Sequence, residues 1–74
     1  MVVTIVYNEQ FSAEAHSLKE AVKDEWSNAS VNMMRTPDTF NGVKYQVQLH
    51  SEVIHKSNNP ASNSDIINLI EEKL

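Results

Sequence analysis

Seventy-four residues without a cysteine make a single domain, residues 1–74, with no disulfide, thiolate nucleophile or cysteine-held metal to reinforce it. A chain this short buries only about 60% of the surface its unfolded form exposes, so its core is thin. Ten acidic residues against six basic ones leave a net charge of −4, which argues against a direct electrostatic grip on DNA or RNA.

The chain opens on Met1-Val2-Val3-Thr4-Ile5-Val6-Tyr7. This run is apolar for seven residues with no basic flank, too short for a signal peptide or a membrane span. Together with the missing cysteines it leads to the expectation of a cytoplasmic protein without membrane attachment. Val2 to Tyr7 is β-branched and aromatic without alternation, the pattern of a central strand covered on both faces.

Asn8-Glu9-Gln10 breaks that strand, and Ser12 is placed to cap a helix, with Glu14 complementing the positive end of its dipole. Phe11, Ala15, Leu18, Val22 and Trp26 then recur at helical spacing and form one apolar stripe. Glu14, Lys19, Glu20, Lys23, Asp24 and Glu25 take the other sides. Ser27-Asn28-Ala29 ends the helix, and Ser30 to Met34 reads as a short strand with Val31 and Met33 facing one way.

Arg35 to Gly42 carries the turn signals Thr36-Pro37-Asp38 and Asn41-Gly42 and reads as a loop. The cleanest period-two run follows, with Val43, Tyr45, Val47 and Leu49 on one face and Lys44, Gln46 and Gln48 on the other. His50-Ser51 then joins it to a strand over Glu52 to Lys56 as a two-residue hairpin, although neither residue favours such a turn. Ser57 to Asn63 is a polar loop, and a second amphipathic helix starts near Ser62 or Ser64, burying Ile66, Ile67, Ile70 and Leu74.

The predicted order is β-α-β-β-β-α: an α/β fold of one four-stranded mixed sheet with both helices packed on it and the first strand in the middle. An alternative lets Asn41-Gly42 close a type I′ hairpin between Thr39-Phe40 and Val43-Lys44.

Several short segments resemble a known family. Val3-Thr4-Ile5-Val6-Tyr7, Ser17-Leu18-Lys19-Glu20-Ala21-Val22, Thr36-Pro37-Asp38, Gly42 with Val43 to Leu49, and Val53-Ile54-His55-Lys56 are similar to segments of the selenoprotein W-like proteins. The resemblance runs over nearly the whole chain and implies a thioredoxin-like fold. That family carries Cys-x-x-Cys or Cys-x-x-selenocysteine after its first strand, where this chain has Asn8-Glu9-Gln10-Phe11. Neither an amide nor a phenyl ring can attack a disulfide, so the oxidoreductase activity the resemblance implies would be lost here.

Other chemistry lacks its parts. His16, His50 and His55 have no spacing that makes them common ligands, and no metal or cofactor is expected. The serines lie at caps and in loops, and a single glycine rules out a glycine-rich phosphate loop. The chain therefore reads as a non-enzymatic binding protein for another protein.

In thioredoxin-like folds the loop after the first strand and the loop holding Thr-Pro lie side by side. That places Asn8, Glu9 and Gln10 beside Thr36, Pro37 and Asp38, with Met34 and Phe40 as the nearby apolar groups of a candidate protein-binding surface. In a narrower reading, acidic side chains on both helices stand in for phosphates, and the chain is a decoy of the kind viruses use against a basic nucleic-acid-binding host protein. The alternatives are a redox accessory that works without thiols and a homodimer formed through an edge strand such as Ser30 to Met34.

Overall fold

The computed structural model describes residues 1–74, and its elements follow the predicted order. Strand β1 (Val2–Asn8) leads through a 3-10 turn (Glu9–Phe11) into helix α1 (Ser12–Glu25). Strands β2 (Ser30–Thr36), β3 (Tyr45–Leu49) and β4 (Glu52–Ser57) follow, and helix α2 (Asn63–Lys73) ends the fold. The four strands form one open mixed sheet in the order β2-β1-β3-β4. β1 is parallel to β2 and antiparallel to β3, which is antiparallel to β4.

Both helices lie on one face. Val3, Ile5 and Tyr7 of β1 stand opposite Leu49, Val47 and Tyr45 of β3. They make one core with Ala15, Leu18 and Val22 of α1 and Ile66 and Ile70 of α2. Each large apolar side chain removed from water here contributes about 1.5–3 kcal/mol before entropy is counted. The α1 stripe is as expected, with Trp26 half-buried at its end and Glu14 and Lys23 set favourably in the first and last turns. Asn63 Nδ2 donates to Ser17 Oγ at 2.9 Å, tying the two helices together. No helix is long and apolar enough to cross a membrane.

One expectation fails at β1. The strand is central in the sheet, but it is covered on one face only: Val3 and Ile5 are fully buried, while Val2 is 37% exposed and Val6 is half-buried. Its unbroken apolar run reflects β-branched preference as well as burial, because both helices occupy the same face.

Other differences are local. The capping group is Asn8, whose Oδ1 accepts from Gln10 N at 3.1 Å, and not Ser12. The 3-10 turn runs directly into α1, so the unpaired N–H groups fall one turn earlier, and Ser12 Oγ instead donates to Glu9 O at 2.8 Å. β2 extends through Arg35 and Thr36, which pair with Tyr7 and Asn8. β3 starts only at Tyr45, and no hairpin forms at Asn41-Gly42. There the Phe40 ring lies so close to Gly42 that a Cβ would overlap it.

Ser62 does cap α2, accepting from Asp65 N at 3.2 Å. Leu74, past the last helical turn, is 69% exposed and not buried. The β3–β4 turn forms as expected, with His50 in the left-handed region at φ 57°.

Candidate functional site

The two loops singled out from the sequence meet at one end of the sheet. Asn8, the last residue of β1, is fully buried and joins them. Its Nδ2 donates to Pro37 O at 3.2 Å, and its backbone N donates to Lys44 O at 2.8 Å. With Oδ1 holding Gln10 N, every polar group of the Asn8 side chain is engaged. Thr36 Oγ1 donates to Tyr7 O at 3.4 Å, a second tie between the strand ends. Phe40 N donates to Pro37 O at 3.0 Å and closes a turn over Asp38 and Thr39.

Glu9, Gln10, Pro37 and Asp38 are exposed around this clip, and Phe40 is 42% exposed. Met34, 57% exposed, lies two residues before Thr36 and faces away from the helices, level with Val6 in the sheet. The expected surface is therefore assembled from two parts. A polar rim surrounds a buried amide that acts as a structural clamp, and Met34 belongs to the uncovered face of the sheet.

That face carries Val2, Thr4 and Val6 in the middle, Asn32 and Met34 on one side, and Gln46 and Gln48 on the other. Val53 and Lys56 finish it on β4, and Lys56 is its only charge. Charge is concentrated on the helix layer instead. Glu14, Glu20, Asp24 and Glu25 of α1 and Asp65, Glu71 and Glu72 of α2 are all exposed. The one ion pair of the molecule, Lys73 Nζ to Glu52 Oε2 at 2.6 Å, uses none of these seven carboxylates. This bond raises the Lys73 pKa.

Sequence reasoning missed one polar pair inside the core. Tyr45 Oη and His55 Nε2 are both buried without a hydrogen-bond partner, and their rings meet edge to face at 6.1 Å. Phe11 packs on the other side of Tyr45 at 6.3 Å. Burial, and to a lesser degree the carboxylate of Glu14, pushes the Tyr45 hydroxyl up to about 12. Near neutral pH it keeps its proton. The alternation of β3 marks Tyr45 as inward, but nothing in the sequence signals that its hydroxyl goes unpaired.

His16 is exposed and meets Tyr7 edge to face at 6.2 Å, while His50 lies in the hairpin turn. No three His, Asp or Glu side chains converge as metal ligands would. A cleft of about 390 Å³ lies between the start of α1 and the start of α2, lined by Ala13, Glu14, Ser17, Ala61, Ser62 and Asn63.

Compared with models of known protein families and with curated proteins, the chain matches none of them.

Proposed function

We propose that this chain is a non-enzymatic, cytoplasmic protein-binding domain whose acidic helix layer engages a basic protein, such as a nucleic-acid-binding protein whose phosphate contacts it occupies. The observation that carries the reading is the set of seven exposed helix carboxylates outside any ion pair. These carboxylates outnumber Lys19, Lys23 and Lys73 of the same helices, and such an excess raises a negative potential that steers lysine- and arginine-rich surfaces toward it. Other proteins would meet a different surface on the opposite side, where Lys56 is the only charge on the sheet.

The scaffold is read as thioredoxin-like and selenoprotein W-like, with its thiols lost. The mixed sheet and the element order support this reading. So does the clamp at Asn8: the position where that family places a reactive group holds a buried amide with its hydrogen bonds already made.

The test is capture from lysate at low and high salt, using the native chain and the charge variant Glu20→Gln/Asp24→Asn/Glu71→Gln. A lysine- and arginine-rich partner lost both in high salt and with the variant supports the proposal. A partner indifferent to both sinks it.

A further inference from the structure

The two edges of the sheet are finished differently. On β4 the register with β3 shifts at a bulge between Val47 and Gln48, and Glu52 and Lys56 place charges along the strand. Glu52 is also tied to Lys73 of α2. Bulges and edge charges are the usual means of preventing a further strand from adding.

β2 has less of this protection and no bulge. Its seven residues pair with β1 in one continuous register, without proline and with Arg35 as their only charge. No backbone hydrogen bond outside the helices and ladders reaches Val31 to Thr36, so the outer row of N–H and C=O groups is open.

The rim of this edge is basic. One flank of α1 faces α2, as the Asn63–Ser17 bond shows, and Glu14 lies on that side in the cleft with Asn63. The other flank overhangs β2: Lys23 Nζ donates at 2.9 Å to the carbonyl of Ala29, the residue before the strand. Lys19 is one turn earlier on the same flank. Arg35 pairs with Tyr7, shares its helix-side face and is exposed. Three of the six basic residues thus border one open strand in a chain of net charge −4.

We propose that the β2 edge takes an extended acidic peptide of a partner protein as a fifth strand. The backbone of the peptide would complete the ladder. Its alternate side chains, if acidic, would project to the helix side toward Lys19, Lys23 and Arg35, and the rest would lie beside Asn32 and Met34 on the neutral face. A second copy pairing edge to edge would bring the same three cations against themselves. A nucleic acid would meet the charges but offer no peptide groups to the ladder. This surface shares α1 with the acidic carboxylates but uses the flank of the helix over β2, and it does not rest on their role.

The experiment is fluorescence anisotropy of the full chain with a labelled peptide of alternating valine and glutamate. Its controls are the same peptide with lysine for glutamate, a version N-methylated at alternate amides, and a labelled oligothymidylate. The expected result is saturable binding of the acidic peptide, weakened about tenfold or more by N-methylation and to a similar extent by Lys19→Glu/Arg35→Glu. N-methylation tests the ladder without altering the protein, so the proposal stays falsifiable if that variant folds poorly. The proposal is overturned by no binding of the acidic peptide, by equal binding of the lysine or N-methylated peptide, or by oligothymidylate binding as tightly. It is overturned equally by sedimentation showing a dimer of the free chain that the peptide cannot enter.

Discussion

On the helix-covered face of the sheet, Val3, Ile5 and Tyr7 meet Leu49, Val47 and Tyr45 almost wholly out of water. One residue along the same strands, on the other face, Val2, Thr4 and Val6 stand beside Gln46 and Gln48, with Met34 of β2 on their other side and no helix above them. Both sets contain β-branched side chains of similar size. The first set holds the molecule together. The second contributes strand preference and leaves a neutral surface for contact. A small domain with two helices on one side has only one face on which to place its core.

Paired substitutions give the largest test of this difference. Ile5→Ala is expected to cost about 2–5 kcal/mol, whereas Val6→Ala, its neighbour on the open face, should cost under about 1 kcal/mol. Urea unfolding of both variants measures this, and equal losses would show that something covers the outer face in solution.

The next effect probes the buried side through Tyr45. Below pH 10 the folded and unfolded chains both hold the phenolic proton. Between about pH 10 and 12 the unfolded chain releases it first, so stability falls as pH rises, by up to about 2–3 kcal/mol. Tyr45→Phe should remove that slope and, by deleting an unpaired buried hydroxyl, leave the chain no less stable at neutral pH. A slope that survives in the variant would move its origin elsewhere.

A smaller loss is expected at the end of the sheet. Asn8→Ala removes the bonds to Pro37 O and Gln10 N and should cost about 1–2 kcal/mol, with faster amide exchange at Gln10. Unchanged exchange there would mean that the loops do not depend on the clamp. The smallest effect is a gain: His50→Gly relieves a left-handed φ at the hairpin and should stabilise the chain by under about 1 kcal/mol in thermal unfolding.

Patterns that depend on period were legible in the sequence. The α1 stripe and the alternation of Tyr45, Val47 and Leu49 follow from side chains a fixed number of residues apart and stand where expected, although β3 begins two residues later than its pattern suggests. Of the two starts left open for α2, Ser62 is the one that caps it. The open face of β1 was not legible, because an apolar run reads the same whether one face or both are covered. The side-by-side placement of the Asn8 and Pro37 loops was expected from the family resemblance. The role of Asn8 as a clamp was not, since it depends on a carbonyl twenty-nine residues away. The β4 bulge and the unpaired Tyr45 and His55 atoms likewise arise from how distant segments meet. The contrast between the sheet edges comes from topology, which decides that β2 and β4 lie outermost.

The central position of β1 also bears on the order in which the chain can fold. This strand leaves the ribosome before the other three, yet its antiparallel partner comes about forty residues later, since Ile5 pairs with Val47. Until β3 and β4 are made, a nascent unit of β1, α1 and β2 exposes the middle of the future sheet along its whole length. The β3–β4 hairpin forms locally and quickly, so its docking onto β1 is the step that closes this window. During synthesis the vulnerable edge is therefore the one that the finished fold hides most completely.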